Sequence, residues 1–270
     1  MMKKLTKESE TLFIPLYSKA EVHKYGDILK DEKAAEIVSS ADYDFDHAFK
    51  SRFLTIYMGI RAAILDEYVR AFIQIHEHAV IIMLGCGLDA RCLRVAGDYE
   101  QWYDLDLPDV IAVRKNYYQE DGRYHMIASS VLSFEWLNQI QISNQSSVLI
   151  VAEGLTMYLS EEENKALIFA LKKKFKKADY IFDAYSKSAV WWSKYKNPVN
   201  AMGAVIRWGM DDPTVFESLD AGICCTAIRS FTEKQWSDKL SGLTKWAFRL
   251  FYANSWADKL YRIYYFQIRS

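Results

Sequence analysis

Two glycines and an acid are the residues of this chain whose types and spacing best suit chemistry. Gly85 and Gly87, with Ala90, make a G-x-G-x-x-A pattern directly after the apolar run 80–84. In such a turn one small residue permits the tight bend and one lets a ligand touch the backbone. The third lets the next helix pack close to the strand. Asp106 lies about 20 residues further on, where nucleotide-binding folds place the acid that holds a ribose. Strand, glycine turn, helix, strand and acid together describe an adenosine-binding crevice, with Asp106 accepting both ribose hydroxyls.

A sheet must hold these residues. The run 80–84 is continuously apolar, as in a parallel strand buried on both faces, and 101–105 reads as the next strand. Pro108 suits a first helical turn, with the helix continuing through 111–118 until Gly122. Further strands are expected at 124–128, 147–152 and 180–184, and Ser160 with Glu163 forms a capping box opening a helix to about residue 176. Strands and helices alternating in this rhythm predict an α/β, doubly wound, Rossmann-like sheet. Residues 245–252 and 261–268, rich in aromatic and β-branched side chains, predict two closing strands, paired antiparallel. Residues 186–230 hold Trp191, Trp192 and Trp208 and show no strand pattern, which predicts a lid or pocket wall. Thr232 and Gln235 predict one more capped helix. Helical patterns at 31–39, 46–57 and 60–73 predict a cap over residues 1–76 on a core of 77–270, all within a single domain.

Composition narrows the function. A net charge of -1 argues against a nucleic-acid partner held by bulk electrostatics, and the basic cluster 172–177 reads as a solvated helix end. Cys86, Cys92, Cys224 and Cys225 make no metal-ligand spacing, so reduced thiols and no metal are expected. No window approaches the ~18–20 apolar residues of a membrane helix, and the start carries no secretory signal. A cytoplasmic protein with no membrane partner is the expectation.

LGCGLDAR at 84–91, YDLDLP at 103–108 and IVAEGLTMYL at 150–159 together resemble the leucine carboxyl methyltransferase family. ETLFIPLYSKA at 10–20 and IRAAILDEYV at 60–69 fit its bacterial branch, described as O-methyltransferases of polyketide biosynthesis. The resemblance implies a class I methyltransferase sheet, mostly parallel with a closing antiparallel strand. It implies S-adenosylmethionine as cofactor and S-adenosylhomocysteine as product. Arg61 then matches the arginine that holds the cofactor's carboxylate, with Arg91 and Arg94 as competitors nearby. Gly85, Cys86 and Gly87 bring backbone N–H groups to its methionine end, and Leu107 flanks Asp106 at the ribose. Glu153, next to Gly154, contacts the amino group. Ser130, between Ser129 and Val131, stands at the adenine position, where some relatives carry aspartate.

The acceptor side carries less signal. Tyr158 is the candidate catalytic side chain, and Tyr185, Trp191, Trp192 and Trp208 are candidates for the substrate pocket, although aromatic residues more often pack in cores. Of His23, His47, His76, His78 and His125, none falls on a strand tip in the sheet's second half. An acceptor ionised at neutral pH needs no general base, which favours a carboxylate or acidic hydroxyl on a small molecule. Two other classes compete: an NAD(P)-dependent oxidoreductase, which the glycine turn and acid also suit, and a methyltransferase-like protein that binds without turnover.

Overall fold

The structure, a computed structural model, describes residues 9–41, 43, 45, 51–95, 97–193, 205–252 and 254–270. Seven strands form one sheet: β1 Ala79–Leu84, β2 Gln101–Asp106, β3 Tyr124–Ala128, β4 Ser147–Ala152, β5 Lys177–Tyr185, β6 Ile223–Ser230 and β7 Tyr261–Arg269. Their order is β3-β2-β1-β4-β5-β7-β6. Strands β1 to β5 pair in parallel, and β7 runs antiparallel to both β5 and β6. The chain leaves β1 towards β2 on one side and places β4 on the other. The crevice between their carboxyl ends is therefore the switch point where such sheets bind ligands.

Period-two alternation sends β1 into two cores. Ala79, Ile81 and Met83 face a layer that includes Ile60 and Ile64, whereas Val80, Ile82 and Leu84 face Leu167 and Ile168. The first layer contains helix α1 (Phe13–Glu21), α2 (Glu32–Ser40) and the long α3 (Arg52–Ile75). Each fully buried Ile or Leu here contributes about 1.5–3 kcal/mol of transfer free energy. Beyond the glycine turn, α4 (Arg91–Arg94) is a single turn, α5 (Pro108–Arg114) carries proline at its start, and α6 spans Glu161–Lys174. The α6 capping box forms: Ser160 Oγ accepts from Glu163 N–H at 3.1 Å, and Glu163 accepts from Ser160 N–H at 2.7 Å.

Four expectations need correction. The closing pair is not 245–252 with 261–268: residues Gly242–Tyr252 are helical, and β7 pairs instead with β6. The helix buries Thr244 and Phe248 and leaves Trp246 between them exposed, whereas a strand would place all three on one face. Strand β6 lies inside 186–230, so that region is not all lid; its second half completes the sheet as an edge strand whose exposure alternates. The helix near Thr232 begins at Lys234 without a side-chain cap, because the Thr232 hydroxyl is spent on Ser230 and Asp258. The helix after Pro108 also ends at Arg114, well before Gly122. Residues 46–50 and 194–204, within the expected cap and lid, lie outside the described residues, as does His47.

Candidate active site

The glycine turn closes β1 onto β2. Gly85 N–H and Cys86 N–H both donate to Leu105 O, at 2.8 and 3.1 Å, and Gly87 N–H donates to Asp106 Oδ2 at 2.7 Å. Gly85 and Gly87 adopt φ of 64° and 52°, in the left-handed region that a Cβ disfavours. These N–H groups are therefore already engaged, and the expectation that all three reach a ligand is corrected. What Gly87 offers is room: an added Cβ would meet only Leu12 Cβ within 4 Å, at 3.5 Å.

Asp106, at the tip of β2, accepts from Gly87 N–H and, at 2.7 Å, from Leu107 N–H. Burial pushes its carboxyl up to about 6, and the two backbone donors restrain the rise. Arg114, which the sequence reading overlooked, holds the turn from behind. Its guanidinium donates to Gly87 O at 3.0 Å and Asp89 O at 2.8 Å, and pairs with Asp104 in the core. Nothing in its local sequence signals this, since a basic residue in a last helical turn is ordinary.

A buried ionic network forms the other wall. Glu153, just beyond β4, meets Lys19 at 3.0 Å, Arg61 at 2.9 Å and Arg91 at 2.6 Å. Burial alone would raise its pKa, but Lys19, Arg61 and Arg91 overcome that and hold it at about 2. Lys19 also meets Asp89 at 2.9 Å, so α1 is tied to both loops. Arg61 gives Nε and Nη2 to Glu153 and Nη1 to Asp183 and to Tyr261 OH. That leaves one of its five N–H donors outside these contacts, so Arg61 can offer a ligand carboxylate a single donor in this arrangement. Asp183 in turn accepts from Gly154 N–H at 2.7 Å and from Tyr261 OH. Arg91 and Arg94 both pair with Asp66 behind the site, and neither lines the cavity.

These walls enclose a cavity of about 400 Å³, within the range of small-molecule sites. Arg61, Gly85, Cys86, Gly87, Asp106 and Leu107 line it. So do Ser129, Ser130 and Val131 after β3, and Glu153 and Gly154 after β4. Ser130 Oγ accepts from Leu132 N–H at 3.3 Å, closing a local turn at the cavity edge. Residues from the N-terminal segment complete the lining, with Leu12, Leu16 and Lys19 among them; the sequence reading quoted this stretch but assigned no role to Lys19.

Tyr158 and Tyr185 line the same cavity. Burial raises both phenols, and a hydrogen bond with Thr11 restrains the rise at Tyr158, so neither is suited to act as a base. The three tryptophans are corrected: none lines the cavity. Trp208 is buried among Phe182 and Phe216, because its segment turns that face into the second core. Trp191 and Trp192 lie on the outward side of helix Lys187–Ser193, 51% and 60% exposed, packed edge to face. No described histidine lines the cavity either.

A crevice at the switch point, an acid on β2 and a parallel sheet with one antiparallel strand, β7, set between β5 and the edge define a class I, S-adenosylmethionine-dependent methyltransferase. The comparisons with known proteins agree. The leucine carboxyl methyltransferase model matches residues 14–172, more than half of the chain. The chain belongs to that family. It is 33% identical over 222 residues to the tetracenomycin polyketide synthesis O-methyltransferase TcmP of Streptomyces glaucescens, covering 82% of each chain. It is 30% identical over 240 residues to the S-adenosyl-L-methionine-dependent methyltransferase dpfgK of Gibberella zeae, covering 81% of this chain and 80% of that one. Among solved structures, a DUF574 family protein from Streptomyces avermitilis superposes with a TM-score of 0.61 at 9% identity, over 96% of this chain and 97% of that one, a likeness of fold.

Proposed function

We propose that this enzyme transfers a methyl group from S-adenosylmethionine to an oxygen of a small, polyketide-like aromatic acceptor. The observation that carries the reading is the convergence on one cavity of Asp106, the Gly87 turn and the Lys19–Arg61–Glu153–Asp89 cluster. This donor set fits the cofactor chemically. Lys19 and the spare N–H of Arg61 suit its carboxylate, Glu153 and Asp89 its ammonium, and Asp106 its ribose. Ser129, Ser130 and Val131 suit the adenine edge. The cofactor supplies an activated methyl group, so the protein's main task is alignment. Tyr158, with its phenol kept protonated, serves as a hydrogen-bond donor beside the acceptor, and Tyr185 forms the wall.

The O-methyltransferase chemistry named for TcmP supports the acceptor class. No described helix is long and apolar enough to cross a membrane, and Cys86, Cys92, Cys224 and Cys225 are free thiols. We place the enzyme in the cytoplasm on that basis, with residues 1–76 as a cap on a single catalytic domain. The test is a thermal-shift panel followed by transfer of labelled methyl to aromatic polyketides. S-adenosylmethionine and S-adenosylhomocysteine should raise the melting temperature, and NADH and NADPH should not. Stabilisation by the nicotinamides instead would overturn the reading.

A further inference from the structure

We propose that helix Gly242–Tyr252 seats this enzyme on an anionic membrane surface. The expectation of no membrane partner rested on the lack of a spanning segment, which a surface contact does not need. The helix is held in one orientation. Thr244 and Phe248 are its buried side chains, and the Phe248 ring lies 5.3 Å from that of Tyr252 and 6.5 Å from that of Tyr57 on α3. Arg52 donates to Thr244 Oγ1 at 3.3 Å along one flank. On the other, Lys245 meets Asp238 at 3.1 Å and Arg249 donates to Ser237 Oγ at 3.1 Å.

The face left outward is apolar. Leu243, Trp246, Leu250 and Phe251, with Trp256 just beyond the helix, are each 63–86% exposed. At roughly 150–250 Å² for a whole aromatic side chain and less for leucine, the five present on the order of 600 Å² to water, the upper end of what the largest patch on an ordinary monomer reaches. Tryptophan suits the headgroup level of a bilayer, where its body is covered and its N–H stays wet.

Charge decides what covers the patch. Arg52, Lys245 and Arg249 border it. From Lys234 to Leu260, the span of this helix and its two neighbours, the chain carries five basic and two acidic residues, an excess of three positive charges in a protein of net charge -1. A second copy docked here would set that excess against itself. A bilayer rich in anionic lipid answers both properties: Trp, Leu and Phe enter the boundary below the headgroups, and the flanking Lys and Arg meet phosphate.

The test is co-sedimentation of the full-length chain with sucrose-loaded vesicles, either phosphatidylcholine alone or phosphatidylcholine with about a third phosphatidylglycerol. The anionic vesicles should bind the chain about tenfold more tightly than the neutral ones, and about 0.5 M NaCl should shrink the difference. Trp246→Ser with Leu250→Ser should weaken binding to the anionic vesicles by about tenfold or more. Ile75→Ser, at an exposed site on the far end of α3 from Arg52, should leave it unchanged. Both residues of the paired variant are exposed, so its circular dichroism and S-adenosylhomocysteine affinity should match those of the unsubstituted protein. Anionic vesicles should also slow hydrogen exchange of the 242–252 amides in the unsubstituted protein, and this measurement decides alone if the paired variant fails to fold. No binding to anionic vesicles, or binding that the paired variant retains, overturns the proposal. So does a dimer that the paired substitution separates and that vesicles leave intact, an outcome that assigns the patch to a second copy.

Discussion

Asp106 works at the edge of its own titration. Its pKa of about 6 is raised from the ordinary carboxylate range by burial. Lowering the pH through 6 protonates it and, on the proposed ribose role, removes the anionic acceptor, so cofactor affinity should be flat above pH 7 and fall below 6. Glu153, held at about 2, stays ionised throughout and cannot account for the fall. Calorimetry with S-adenosylhomocysteine from pH 5 to 8 checks this, and a flat profile would refute the assignment. Asp106→Ala should weaken binding by roughly one to two orders of magnitude, the worth of a charged hydrogen bond of about 1.5–3 kcal/mol. Glu153 has a different role, balancing three buried cations. Glu153→Gln leaves Lys19, Arg61 and Arg91 undercompensated and should cost about 3–5 kcal/mol of stability, read as a lower urea midpoint.

At the scale of elements, the turn after β4 shows how a local conformation serves a distant residue. Gly154 sits at φ 67°, and a Cβ there would lie 3.2 Å from Arg61 Nη1. Gly154→Ala should therefore cost about 1–2 kcal/mol from the left-handed backbone, with additional loss of cofactor affinity as Arg61 is displaced. Helix Lys187–Ser193 and the segment 205–210 make a contrasting pair of tests. Trp208→Ala should lose about 3–5 kcal/mol as a core truncation. Trp192→Ala, at an exposed site, should stay within about 0.5 kcal/mol. Equal effects in chemical denaturation would contradict this division. The sheet's closing strands show where periodicity misleads: residues 245–252 carry aromatics at spacings that fit a strand until their burial is seen, whereas β6 offers few large apolar residues because an edge strand is half exposed.

Across the whole molecule, one sheet and one ionic cluster join segments far apart in the chain. Strand β7, the last element, lies between β5 and β6, and Lys19 of α1 bridges Asp89 and Glu153. No group of elements can then leave without exposing the core, so calorimetric unfolding should show a single transition, with calorimetric and van't Hoff enthalpies in agreement. Two separated transitions would count against a single domain.

Strands β1 to β5, the glycine turn and Asp106 are legible in the sequence by itself: β1 and β4, buried on both faces, write their positions as unbroken apolar runs, and a tight turn needs its glycines locally. The motifs put Gly85, Gly87, Asp106 and Glu153 beside one crevice, and these four do line the cavity. Only tertiary structure decided that Lys19, Arg61, Glu153 and Asp183 meet, that Arg114 holds the turn, and that the tryptophans face elsewhere. A buried charge is tolerable only beside its partner, and partners brought together from opposite ends of a chain leave no periodic trace in either segment.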